Sequence, residues 1–331
     1  MNQIIPIFFT FDRHYVLAAC VAFYTLLEKA SCQYQYRLYV VHTGLKEEHK
    51  KRLQKVVRRF SNAELFFKDA SGHDTGWEGM QHKGHFSQEI FYKLTAADMF
   101  PEYDRILFSD VDVIFTDDIA PSYFLYPGEK FYYAGVTHIF EAKGLQYIRD
   151  FTPEEIVTLT TYGISAGYML INLACLKEDH KQKELTEFFR RNVSRLRLPE
   201  QDCIALCCAP HLRFMDFKYV VCAYQFHLDP ETVPFDTNQP CLKDHAQAVR
   251  IYRKMLDEVV QLHYPSPEKP WNNPFVFEYG KWLKACRRAH QTSYYLMMQP
   301  AFLMQRIKRY NMKRFITKIK LKIGIHSATN Y

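Results

Sequence analysis

The first part of the chain alternates strand-like apolar runs with helix-like segments, and this alternation narrows the possible folds more than any other feature. Ile4 to Thr10 is rich in Ile and Phe and ends at a polar Phe-Asp-Arg-His turn, as a buried strand does. Val16 to Leu27 fits a helix packed on that strand, and Arg37 to His42 fits a second strand. Lys46 to Phe60 is an amphipathic basic helix with Leu53, Val56, Val57 and Phe60 facing inward, and Leu65 to Phe67 is a short third strand. Strand–helix–strand–helix order predicts an α/β domain with a mainly parallel sheet covered on both faces.

The pattern continues less regularly. Asp69 to Phe86 holds Gly72, Gly76, Gly79 and Gly84 and reads as a long loop of the kind that carries function. Gln88 to Met99 reads as a helix and Arg105 to Phe108 as a strand. Met169 to Ile171 and Val220 to Cys222 read as further strands, and Lys181 to Asn192 as a charged helix.

Bulk properties set the limits. A chain of 331 residues, 48% hydrophobic, supports one large domain with a small appendage. None of the nine Cys forms a C-x-x-C pair, so zinc and small disulfide frameworks are not indicated. Reduced, buried thiols in a cytoplasmic setting are expected. The N-terminus lacks the basic start and apolar run of a secretion signal. Val16 to Leu27, the longest apolar stretch, falls short of the ~20 residues a membrane-spanning helix needs. Charge is unevenly placed: from Tyr279 onward there are twelve Lys/Arg and no acid, so a chain of net +7 leaves −5 on residues 1–278. The expected division is a catalytic body, 1–278, and a basic helical region, 279–331.

The sharpest chemical feature is Asp110-Val111-Asp112, set between the apolar segments Arg-Ile-Leu-Phe and Val-Ile-Phe. Carboxylates at i and i+2 of an extended chain point the same way, and they repel unless a cation lies between them. A hard divalent ion accepts such oxygens and keeps positions open for phosphate. The alternative is an Asp pair that caps a turn. Position favours the metal, because ligands of open α/β sheets bind beyond the carboxyl ends of the strands. A second feature is the stretch His263-Tyr264-Pro265-Ser266-Pro267-Glu268-Lys269-Pro270-Trp271. Its prolines hold an imidazole and a phosphate-suited ammonium at a fixed separation.

Four islands in order carry a family resemblance: FFTFDRHY, RILFSDVDVIF, ISAGYMLINL with PEQDCIAL, and LHYPSPEKPW. The chain resembles family 8 glycosyltransferases of the bacterial lipopolysaccharide and lipooligosaccharide galactosyl- or glucosyltransferase type. The resemblance implies a single nucleotide-sugar-binding domain of the GT-A type, a UDP-sugar donor, Mn²⁺ (or Mg²⁺), and retention of the donor's anomeric configuration. It implies that Asp110, Asp112 and His263 hold the metal. Thr10, Phe11, Asp12, Tyr15 and Val111 match the segments around the uridine and metal, and Lys269 with Ser266 matches the diphosphate loop. Ser165, Ala166 and Gly167 match a turn facing the donor sugar, and Gln201 and Asp202 match the pair beneath the anomeric carbon. Lys93 stands where the family usually has Arg against the sugar, Ser266 where it has Gly, and Glu200 where galactosyl members have Asp. His85 and Ser87 are candidate acceptor contacts.

Two other classes remain consistent with a metal and a nucleotide: an inactive nucleotide-sugar-binding protein and a nucleotidyltransferase. The second normally has a Gly-rich phosphate loop at its first strand, which FFTFDRHY lacks. The basic region predicts an amphipathic helix over 301–325 with Phe315, Ile316, Ile319 and Ile323 on one face. Such a helix suits the surface of an anionic membrane, where a lipid-linked acceptor would sit, and no nucleic-acid partner is expected. The expected location is peripheral, on the cytoplasmic face of the cell membrane.

Overall fold

A computed structural model of the chain describes residues 3–72, 88–140, 150–236 and 242–322. The rest of the glycine loop, with His85 and Ser87, lies outside the described residues, as do the side chains of Phe315, Ile316, Ile319 and Ile323.

The N-terminal half follows the expected order: β1 (Gln3–Thr10), α1 (Val16–Lys29), β2 (Tyr34–His42), α2 (Glu47–Val57) and β3 (Ala63–Asp69). The segment from Gln88 to Met99 is not one helix. It is a 3₁₀ turn (Gln88–Lys93) followed by α3 (Ala96–Met99). The break lies just after Lys93, whose side chain is drawn into a buried ion pair. Next come β4 (Arg105–Ser109), β5 (Val113–Phe115), α4 (Ala120–Tyr123), β6 (Tyr133–Thr137), α5 (Pro153–Tyr162) and β7 (Ile164–Asn172). The C-terminal half holds α6 (Leu173–Glu178), α7 (Lys181–Asn192), α8 (Pro199–Cys208), β8 (Leu212–Phe214), β9 (Val221–Cys222), α9 (His245–Asp257), β10 (Gln261–His263), α10 (Tyr279–Arg288) and α11 (Thr292–Lys322).

Seven strands form the central sheet in the order β3-β2-β1-β4-β7-β6-β8. Strands β3, β2, β1 and β4 are parallel, β7 is antiparallel to both neighbours, and β8 is parallel to β6. Sitting between covered faces, β1 is buried from Ile5 to Phe9, which explains its unbroken apolar run. Likewise every residue of α1 from Val16 to Leu27 is buried, because the helix is packed between the sheet, α2, β5 and α10. Truncating a side chain as enclosed as Phe23 to Ala would cost about 3–5 kcal/mol.

The expected strand at 220–222 is real but belongs elsewhere. It joins a second, three-stranded sheet, β5-β10-β9, in which β10 is antiparallel to β5. This small sheet positions the site, since His263 pairs with Val113, the residue after Asp112. The same core extends into α10 through the fully buried Trp282.

Candidate metal and donor site

Strand β4 ends at Ser109 and delivers Asp110 to the carboxyl edge of the sheet, where the Asp110 N–H donates to the Gly167 carbonyl at 2.9 Å. Two residues later the chain enters β5. Strand β10 lies against β5, and the Tyr264 N–H donates to the Asp112 carbonyl at 2.9 Å. His263 is thereby held beside both carboxylates. Its Nε2 is 3.2 Å from Asp112 Oδ1 and 3.7 Å from Asp110 Oδ2. One ligand atom from each of Asp110, Asp112 and His263 falls within 4.8 Å of the others.

Two acids and an imidazole at this spacing fit a divalent ion such as Mn²⁺ or Mg²⁺. Gly167 reinforces the fit. A Cβ there would come within 2.9 Å of His263 Cε1 and 3.4 Å of Asp110 Oδ2, so only glycine lets the β7 backbone pass this close.

The two carboxylates differ in environment. Burial raises Asp110 above the ordinary carboxylate range, and its neighbour Asp112 adds to the rise against the opposing effect of Lys93. Burial would also raise Asp112, but the Lys269 ammonium and His263 outweigh it and hold that carboxyl below the usual range. Lys269 Nζ lies 2.5 Å from Asp112 Oδ2 and donates to the Tyr264 carbonyl at 2.7 Å. The proline-stiffened loop after β10 therefore aims this buried ammonium at Asp112.

A cleft of about 260 Å³ opens beside them, and Thr10, Phe11, Asp12, Tyr15, Lys93, Asp110, Val111 and Asp112 all line it. Asp12 accepts from the His14 N–H at 2.8 Å through Oδ1 and caps the turn that presents Tyr15. The Tyr15 ring meets Trp271 edge-on, with centroids 5.5 Å apart, and its hydroxyl is pushed up by burial and by Asp112. Glu89 and Ile90 also line the cleft. Glu89, accepting from Thr43 Oγ1 at 3.4 Å, is one turn ahead of Lys93, and its place there carries no separate sequence signal.

Other candidate residues fall next to this cleft rather than in it. Ser165, Gln201 and Asp202 line an adjoining cavity of about 430 Å³ together with His138 and Tyr224. Ser165 Oγ accepts from the Gly167 N–H at 3.2 Å, whereas Ala166 is buried in the core. Asp202 Oδ2 accepts from the N–H groups of Arg197 and Leu198 at 2.7 and 3.0 Å, so the carboxylate holds the turn that opens α8. Ser266 is exposed and donates to the Glu268 carbonyl at 2.6 Å.

Comparison with known proteins places this geometry. The sequence profile of glycosyl transferase family 8 matches residues 6–274. No curated protein matches the chain. Among solved structures, the apo form of the bifunctional glycosyltransferase WbbM is similar with a TM-score of 0.68 at 17% identity over 90% of this chain. The chain spans only 52% of WbbM. The galactosyltransferase LgtC, solved with donor and acceptor sugar analogues, gives a TM-score of 0.63 at 18% identity, covering 86% of this chain and 96% of LgtC. Mouse xyloside xylosyltransferase 1 gives 0.54 at 15% identity, covering 80% and 98%. At these identities the structures speak to the GT-A fold alone.

Proposed function

Because the chain belongs to glycosyl transferase family 8, we propose that it moves a hexose, galactose or glucose, from a UDP-sugar to an acceptor glycan with retention of configuration. The product would be lipopolysaccharide or another cell-surface glycan. The observation that carries this reading is the convergence of Asp110, Asp112 and His263 with Lys269 at the carboxyl edge of the sheet.

Asp110, Asp112 and His263 would hold Mn²⁺ or Mg²⁺, which when bound neutralises the charge growing on the departing diphosphate. The chain's own groups do the rest. Asp12 accepts from the uracil N–H through the oxygen its turn leaves free, and Tyr15 offers a ring face to the base. Lys269 is already aimed at Asp112 and adds a positive charge where the diphosphate would lie. Lys93, flanked by Glu200 and Asp110, faces the sugar. As the anomeric carbon loses the diphosphate, the Gln201 side-chain oxygen stabilises the cationic sugar from below. The acceptor hydroxyl then adds from the face the diphosphate leaves and gives its proton to a diphosphate oxygen. The adjoining cavity, with Tyr224 partly exposed in its wall, suits a glycan acceptor whose ring stacks on that side chain.

The basic C-terminal helix would seat the enzyme on the cytoplasmic face of an anionic membrane beside a lipid-linked acceptor. Among the described residues, no helix is long and apolar enough to cross a membrane. A panel of UDP-sugars assayed with and without Mn²⁺ tests the activity. Metal-dependent hexose transfer is expected, and binding without transfer under all donors and acceptors would overturn it.

A further inference from the structure

A second cavity, of about 510 Å³, lies where α2 meets the junction of α10 and α11, and it shares no lining residue with the donor cleft. Lys51, Arg52, Lys55, Arg59 and His290 line it, against a single carboxylate, Glu48, whose side chain is 72% exposed. Lys51 and Lys55 stand at i, i+4 on α2, an arrangement that destabilises a helix when nothing offsets it, and Arg59 lies two residues past the helix end. Among the described residues no carboxylate pairs with any of the three. This concentration of cations runs against the net −5 of residues 1–278.

The site is also built. Arg52 lies 3.7 Å over the Tyr294 ring, and Arg59 lies 4.6 Å over the Tyr24 ring while donating to the Arg288 carbonyl at 3.4 Å. Both guanidinium planes are thus held in place before any ligand arrives. Gln291, 7% exposed, is in the same wall. Its Nε2 donates to the Ala289 carbonyl at 3.2 Å, and its buried Oε1 has no partner among the described residues.

We propose that this cavity binds a phosphate monoester. The two forks and two ammonium groups take the dianionic phosphate. A nucleic acid fits less well, because the two aromatic faces beside the cavity are already covered by arginines and leave no ring for a base to stack on. The same phosphate chemistry comes from two sources, a soluble sugar phosphate or a phosphorylated lipid headgroup.

The test titrates glucose 6-phosphate into the full chain by calorimetry, with UDP and Mn²⁺ saturating the donor cleft. The same titration is run on the double variant Lys51→Gln/Lys55→Gln. The parent should bind, and the variant should bind about tenfold more weakly or worse after losing two charge-assisted contacts. The variant should melt with the parent and transfer sugar equally to a soluble acceptor. In a second arm both proteins are sedimented with phosphatidylcholine vesicles containing phosphatidic acid. Reduced pelleting of the variant assigns the lipid source, and unchanged pelleting with lost sugar-phosphate binding assigns the soluble one. Equal binding of both probes by parent and variant, or no binding at all, overturns the site. Intact phosphate binding in a chain that transfers no sugar would instead sink the proposed activity alone.

Discussion

Lys93 Nζ lies 3.1 Å from Glu200 Oε1 and 3.5 Å from Asp110 Oδ1, so one buried ammonium ties the helix bearing Gln201 to a carboxylate of the candidate metal site. Burial works against this ammonium, but Asp110 and Glu200 outweigh it and hold the Lys93 pKa above its ordinary value. The remaining Glu200 oxygen, Oε2, is buried with no partner among the described residues. The resemblance implies Arg and, in galactosyl members, Asp at these two positions; here the shorter Lys93 and the longer Glu200 meet directly.

Three variants separate structure from specificity. Lys93→Met leaves Glu200 buried and uncompensated, and should lower stability by about 3–5 kcal/mol, read from a urea melt. Lys93→Arg should keep the fold while changing the ratio of kcat/KM for UDP-glucose and UDP-galactose. Lys93→Arg/Glu200→Asp should move that ratio further in the same direction. An unchanged ratio in both would mean that Lys93 does not meet the sugar.

The metal trio gives the largest expected effect. Asp110→Ala or Asp112→Ala should lower transfer by at least about a hundredfold, since groups that steady the leaving charge contribute several kcal/mol to barrier lowering. Circular dichroism should show the fold intact. A loss below about tenfold, or ~1.4 kcal/mol, would refute the assignment.

Gly167→Ala tests the same site without touching a ligand. The new Cβ would sit 2.9 Å from His263 Cε1 and must push the imidazole away from Asp112. The Mn²⁺ concentration for half-maximal activity should rise about tenfold or more, while the melting temperature moves little by comparison. A metal requirement equal to the parent's would show that His263 is not a ligand.

Much of this was legible in the sequence, for definable reasons. Strands β1, β2 and β4 and helix α1 announce themselves as apolar runs of strand or helix length, and α7 by its amphipathic period. Helix α8 does not: Pro199-Glu200-Gln201-Asp202-Cys203-Ile204-Ala205 is buried on several sides, so it lacks an amphipathic stripe. Helix α5 is not among the elements predicted from the sequence, although Thr152-Pro153-Glu154-Glu155 forms a capping box with Pro at its first position. Strand β6 is short and holds Ala134 and Gly135, residues of low strand propensity, so its sequence does not announce it. At the site, Asp110 and Asp112 are neighbours in sequence, but His263 reaches them only through the β5–β10 pairing, which periodicity cannot reveal. Asp202 matches the motif, and one oxygen of its carboxylate, Oδ2, accepts from two backbone N–H groups, a contact that periodicity does not reveal.

That assignment predicts a pH signature. Burial raises Asp202 from an ordinary 3.8 to about 6, with the two backbone N–H groups opposing. Between those values the folded state holds a proton that the unfolded state has released, so this group's contribution to stability falls as pH rises through the window. A shift of this size corresponds to roughly 3 kcal/mol. Asp202→Asn mimics the neutral form at every pH. Its melting temperature should therefore gain on the parent's as pH rises from about 4 to about 7. A constant difference across that range would show that the carboxylate does not titrate in the window.

The helix α11 carries the last prediction. Its first half is fastened to the body: Tyr295 and Phe302 are each 7% exposed, and Gln299 Nε2 donates to the Trp271 carbonyl at 3.0 Å. Its outer side shows Leu296, Met297, Leu303, Met304 and Ile307, all at least 45% exposed. These fall at i, i+1, i+7, i+8 and i+11, one face of a helix. Past them the sequence adds Arg309, Lys313, Arg314, Lys318, Lys320 and Lys322. An apolar stripe continued by cations suits the interface of an anionic membrane, with roughly 1 kcal/mol for each basic residue near the surface. Cutting ahead of Phe302 would strip cover from the body, so the informative truncation ends at Lys308. That chain should lose most of its sedimentation with anionic vesicles yet retain transfer to a soluble acceptor. Leu303→Ser/Ile307→Ser keeps every charge and removes part of the stripe, so it should weaken binding that persists at high salt, where screening has silenced the cations. Sedimentation of both variants equal to the parent's at every salt concentration would take α11 out of membrane binding.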